Sequence, residues 1–130
     1  MALKTPKEYV DSLRKLKLNL YLLGERVDNW VDNPIIRPSL NAIAVTYKLA
    51  LEPESADLAA TTSIFNKQKI NRFNSTFMNV EDLVKKVKMQ REMGQRTACC
   101  FQRCVGMDAI SATYEIDQKY GTDYHKRFRA

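Results

Sequence analysis

Asn79-Val80-Glu81-Asp82-Leu83-Val84-Lys85-Lys86-Val87-Lys88-Met89-Gln90-Arg91 decides the fold class of this chain. Asn79 suits a helix N-cap, because its side-chain oxygen accepts from an amide that a helix start leaves unpartnered, and Asp82 sits in the first turn. Val80, Leu83, Val84 and Val87 recur at helical spacing and predict one apolar face, with Lys85, Lys86 and Lys88 as a solvated one. Gly94 is expected to end or bend this helix. A further helix is expected from near Arg96 or Thr97 to about Tyr120, where Gly121 supplies a left-handed stop. Thr122 would cap a short last helix ending at Ala130.

Toward the N-terminus the same signals recur. Thr5, Pro6 and Glu8 are a capping hydroxyl, a first-turn proline and a capping-box glutamate, and Val10, Leu13, Leu16 and Leu20 fit a helical stripe. From Leu16 the pattern changes: Leu16, Leu18, Leu20 and Leu22 alternate with Lys17, Asn19 and Tyr21 in the period-two manner of a short strand, and Gly24 permits a turn. Residues 29–37, with Pro34, read as loop. Pro38 and Ser39 open a helix that runs to about Leu51 before Pro53 stops it. Thr61, Thr62, Ile64 and Phe65 lean toward strand, and Asn66-Lys67 would turn the chain back toward Ile70 and Phe73. The sum is a mainly α fold with a few short strands.

A chain of 130 residues with 45% hydrophobic content supports one core, so residues 1–130 read as a single helical domain. No stretch approaches the roughly 20 apolar residues that cross a bilayer, and Met1–Val10 lacks the apolar centre of a secretion signal. A cytoplasmic location, with no membrane partner, is the expectation. Cys99, Cys100 and Cys104 lie too close together to staple distant parts of a secreted fold, and suggest metal ligation or thiol chemistry. The net charge of +6 is concentrated: residues 67–103 hold nine Lys/Arg against three Asp/Glu, while the segments on either side balance. Such a field attracts phosphates of nucleic acid, nucleotide cofactor or coenzyme A, or it is simply a wet lysine-rich face.

On a regular helix Cys100 and Cys104 differ by about 40° in direction and about 6 Å along the axis, so both thiols would face one way. Two thiolates so placed suit neighbouring irons of a cluster or one zinc ion, and either site needs further ligands. Cys99 points roughly 100° away from Cys100, and His125 lies far downstream. The plainer alternative is that the cysteines are small buried apolar residues. Arg91 continues the Val84 and Val87 stripe, where its guanidinium would hold a phosphate or carboxylate, or reach to water at the helix end. His125 reads as a surface residue. No glycine-rich phosphate loop, nucleophile elbow or zinc-protease motif occurs, and no catalytic residue is assigned.

Tyr9-Val10-Asp11-Ser12-Leu13-Arg14-Lys15-Leu16, Asn29-Trp30-Val31-Asp32, Ile70-Asn71-Arg72-Phe73 and, above all, Cys100-Phe101-Gln102-Arg103-Cys104-Val105-Gly106-Met107-Asp108-Ala109 and Glu115–Thr122 resemble the 4-hydroxybutyryl-CoA dehydratase family. The resemblance runs over essentially the whole chain. It implies the N-terminal helical domain of an acyl-CoA-dehydrogenase-like fold, without the central β domain and C-terminal helical bundle. It implies FAD and a four-iron, four-sulfur cluster in the full-length enzyme, neither held stably by this chain alone. The implied reactions are dehydration of 4-hydroxybutyryl-CoA to crotonyl-CoA and isomerisation of vinylacetyl-CoA. Carried over by motif, Cys100 and Cys104 become two cluster ligands, the remaining cysteine and histidine ligands belonging to a later part of the family sequence. Arg91 is the candidate contact to an acyl-CoA substrate, and the role of Gln102 stays open.

The chain departs from the family pattern in two places. Cys99 replaces a smaller or hydroxyl residue, and the stretch from Ala109 to Tyr114 is about four residues short, close to one helical turn. A chain of this length is expected to be inactive alone, as a truncated or split enzyme that forms a homo-oligomer or joins a partner chain. Two other readings stay open: a non-enzymatic helical module whose Cys100 and Cys104 from two copies share a metal, and nucleic-acid binding by residues 67–103, the less favoured of the partners.

Overall fold

The computed structural model describes residues 3–98 and 103–121, with Arg103 and Cys104 described for their backbone alone. It is mainly helical, with two small antiparallel hairpins. The expected final helix after Thr122 lies outside the described residues.

Helix α1, Pro6–Arg14, opens as the sequence requires: Thr5 Oγ1 accepts from the Glu8 amide at 3.1 Å, and Glu8 Oε2 accepts from the Thr5 amide at 2.7 Å. It stops two residues before Leu16, and the strand expected from Leu16 is confined to β1, Leu20–Leu22. Leu16 and Leu18 are about half exposed, because β2, Glu25–Val27, is only three residues long and leaves nothing to pair with them. Leu23 and Gly24 make the turn with φ of 53° and 87°, both in the left-handed region that a two-residue turn between twisted strands demands.

The expected loop at 29–37 contains a 3₁₀ turn, Trp30–Asp32, that buries Val31. Helix α2 follows at Arg37–Leu49, ending two residues before the expected Leu51 and four before Pro53. It packs beside α1, where the rings of Tyr9 and Tyr47 stack with centroids 4.6 Å apart. A single turn, α3, Ala56–Ala59, leads into β3, Ala60–Thr62, which pairs with β4, Lys69–Asn71, in the register Ala60 to Asn71 and Thr62 to Lys69. The hairpin is where the sequence put it. Ile64, Phe65 and Phe73 fall outside its strands, however, and Phe73 instead enters the core from a 3₁₀ turn at Arg72–Asn74.

Helix α4, Val80–Thr97, begins at Asn79, whose Oδ1 accepts from the Asp82 amide at 2.9 Å. Its burial overturns the expected faces. Val80, Leu83, Val84 and Val87 are 76%, 45%, 45% and 51% exposed, whereas Met89 and Met93 lie in the core and Lys86, expected in water, is buried. Gly94 does not end the helix. The termination comes at Ala98, with φ 51°, after which α5 runs Arg103–Tyr120 and Gly121 makes the expected left-handed stop at φ 61°. The helix expected from Arg96 or Thr97 therefore starts later, because those residues still belong to the last turn of α4. The core joins Leu49, Ala50, Ala59, Ala60, Phe73, Met89, Met93 and Met107, drawn from α2 to α5. Removing these side chains from water is the main favourable term in holding the helices together.

Candidate functional site

In the sequence the cysteine run falls between α4 and α5, and the described residues anchor the end of α4 and the first half of α5. On the α4 side, Arg96 in the last turn donates to Glu92 at 2.6 Å, to Ser55 Oγ at 3.1 Å, and forms an ion pair with Glu52. Ser55, itself buried, donates to Glu92 Oε1 at 2.6 Å. The Arg96 guanidinium, by its hydrogen bond to Glu52, holds that carboxyl below the ordinary glutamate range, and Glu52 in turn raises Arg96. Four side chains from α4 and the segment between α2 and α3 thus fix the last turn before the cysteines.

On the α5 side, Met107 is buried in the core and Asp108 pairs with Lys86, whose ammonium also lies 4.0 Å from the centre of the Phe77 ring. A buried lysine is tolerable only when such groups compensate its charge. Tyr114 adds an edge-to-face contact with Phe65 at 5.5 Å. Beside the ion pair lies an open cleft of about 400 Å³ lined by Phe77, Met78, Asp108, Ser111, Tyr114 and Gln118, among others. Ser111 Oγ is buried there with no hydrogen-bond partner among the described residues.

Arg72 holds the other end of α4, its first turn, to the body of the domain. It is 5% exposed, and its guanidinium donates to the carbonyls of Leu58 at 2.7 Å, Asp57 at 3.2 Å and Ala60 at 3.2 Å, and to Asp82 Oδ1 at 3.2 Å. One planar fork so locks α3 and β3 to the start of α4.

The predicted site residues divide sharply. Cys99, Cys100, Gln102 and His125 lie outside the described residues, as does the Cys104 side chain, although the Cys104 backbone is in the first turn of α5. The expectation that the Cys100 and Cys104 thiols face one way thus lies outside them too. Among the described residues no group of three or more His, Cys, Asp or Glu is placed to hold a metal. Arg91 is exposed on the outer side of α4, continuing the Val84 and Val87 stripe as predicted, but that stripe faces away from the core and the arginine needs no buried partner. No described helix is long and apolar enough to cross a membrane. Lys86, Arg72 and Arg96 were the residues sequence reasoning missed, since a basic residue carries no local sign that its partner lies up to 44 positions away.

Residues 5–130 match the family described as 4-hydroxyphenylacetate 3-hydroxylase N terminal. The chain is 57% identical, over 97% of its length, to the 4-hydroxybutyryl-CoA dehydratase/vinylacetyl-CoA-Δ-isomerase of Clostridium aminobutyricum, and it spans 26% of that protein. It also superposes on an oxygen-tolerant archaeal 4-hydroxybutyryl-CoA dehydratase from N. maritimus with a TM-score of 0.86 and 51% identity, covering 98% of this chain and 26% of that one. The chain therefore spans about a quarter of the length of the relatives it matches. On these matches it belongs to the 4-hydroxyphenylacetate 3-hydroxylase N-terminal family, and within it resembles the 4-hydroxybutyryl-CoA dehydratases.

Proposed function

We propose that this chain serves as the N-terminal helical domain of a flavin- and iron-sulfur-dependent 4-hydroxybutyryl-CoA dehydratase/vinylacetyl-CoA Δ-isomerase, in an acyl-CoA-dehydrogenase-like architecture completed by polypeptide equivalent to the rest of its relatives. The observation that carries this reading is the near-complete coverage of the chain at 57% identity by the Clostridium aminobutyricum enzyme. In support, the helices on either side of the cysteine run in sequence are held, α4 at its end by Arg96 and α5 by Met107 and Asp108.

Thiolates are the donors that iron-sulfur clusters take, so Cys100 and Cys104 would supply two of the ligands, with the others coming from the remaining polypeptide. When bound, the cluster would supply Lewis acidity and the flavin one-electron redox capacity. This chain's own contribution is positional. The Arg96, Glu52, Glu92 and Ser55 network fixes the exit from α4, and the Lys86–Asp108 pair fixes the entry to α5. Arg91, exposed and permanently charged, would bind a phosphate or carboxylate of the acyl-CoA. With only a quarter of the family length, the isolated chain is expected to be inactive.

The test is a graft in which this chain replaces the matching quarter of the Clostridium aminobutyricum enzyme. After anaerobic reconstitution it should bind flavin and iron and dehydrate 4-hydroxybutyryl-CoA. Cys100→Ala and Cys104→Ala should each lower iron content while leaving the helical circular-dichroism signal in place. A colourless graft, prepared beside a normal brown parent enzyme, would overturn the assignment.

A further inference from the structure

Helix α4 is apolar on two opposite sides. Taking about 100° per residue, Met89 and Met93 lie on one side with Lys86, while Val80, Val84 and Val87 cluster roughly 180° away with Leu83 at their edge. The first set is in the core and the second is 45–76% exposed. A surface helix of a finished globular protein carries one apolar stripe, and a helix apolar on two faces is one that packs on both. The outer stripe spans about two turns and is continued by Arg91, with Lys88 beside it; both cations are exposed, and neither forms an ion pair with a described residue. Lys85, by contrast, is engaged by Asp57 at 3.0 Å and Glu81 at 3.4 Å.

We infer that the outer face of α4, formed by Val80, Leu83, Val84 and Val87 and bordered by Lys88 and Arg91, seats the polypeptide that supplies the rest of the family's length. The chain covers 26% of each of two relatives, so those proteins carry about three times as much polypeptide beyond the matching segment. The exposed cations at one end of the stripe call for an apolar partner surface edged with carboxylates or a bound phosphate. Exposed apolar side chains elsewhere among the described residues include Leu23, at the tip of the first hairpin and without a stripe, and Val105, Ile116 and Tyr120 along α5; the α4 stripe is set apart by the two exposed cations, Lys88 and Arg91, at its end. This inference rests on the proposed function above and adds which face makes the junction.

The experiment uses the same graft and the isolated chain, each carrying Val84→Asp with Val87→Asp. Both positions are already about half exposed, so the isolated variant should melt within about 2 °C of the parent. In the graft the double substitution should lower bound flavin and iron at least tenfold and split one melting transition into two, while Leu23→Asp leaves both readouts unchanged. A parent graft that is brown and active, with a double variant indistinguishable from it, would overturn the assigned face and leave the proposed function standing. A parent graft that binds neither group would overturn the proposed function and the assigned occupant together. Sedimentation of the isolated chain supplies the remaining outcome: a dimer that the double substitution dissolves would make a second copy the occupant and refute the inference.

Discussion

Arg72→Met tests whether one buried guanidinium joins α3 and the hairpin to the start of α4. Arg72 donates to three carbonyls and one carboxylate, and methionine keeps most of the apolar stem but none of the donors. Each carbonyl contact is worth about 1 kcal/mol net in the folded state. The Asp82 contact adds little, because that side chain is 29% exposed and water replaces the guanidinium. The expected loss is about 3 kcal/mol, a substantial part of a typical stability of roughly 5–15 kcal/mol. For a chain of this length about 4 °C accompanies each kcal/mol, so calorimetry should show a fall of about 12 °C. Arg72→Lys, with a compact ammonium in place of the fork, should recover less than half of the loss. Asp82→Asn retains a capping acceptor and should cost under about 1 kcal/mol. The reasoning fails if Arg72→Met melts within about 3 °C of the parent, or if Asp82→Asn proves the more damaging change.

Met93 is fully buried, so Met93→Ala should cost about 2–4 kcal/mol by urea denaturation, more than Val84→Ala at an exposed position of the same helix. Leu23 holds φ 53° while 89% exposed, and Leu23→Asn should raise stability by about 0.5–1 kcal/mol in the same assay, since asparagine tolerates the left-handed region and forms the preferred Asn-Gly turn. Asp32 is held down to about 2, first by the hydrogen bond from Arg14 and then by that from Asn29. Because its folded value lies below the unfolded one, its contribution is present above about pH 4 and is lost as the pH falls toward about 2. Carbon-detected NMR titration should show Arg14→Met moving the Asp32 value upward, and an unchanged value would show that the paired guanidinium at 2.5 and 2.6 Å is not its cause.

Local chemistry was legible in the sequence wherever one residue answers its near neighbours. Thr5 with Glu8 fixed the start of α1, Asn79 the start of α4, Gly24 the first turn and Gly121 the end of α5, each through hydrogen bonds or backbone freedom within a few positions. The motif around Cys100 and Cys104 carried the family resemblance for a similar reason: residue type and spacing are properties of the chain alone. Which side of α4 faces inward was beyond that reach. Valines and leucine on one side and methionines on the other give two apolar stripes, and periodicity cannot rank them when the outcome depends on where α2, α3 and α5 pack. The tertiary structure made that choice by bringing Leu49, Phe73 and Met107 to Met89 and Met93, and it buried Lys86 by setting Asp108 and Phe77 against it. Sequence thus determined the elements and their caps through short-range contacts, whereas the ties that bury Arg72 and pair Lys86 and Arg96 came from partners 10 to 44 positions apart, whose meeting depends on how the helices pack.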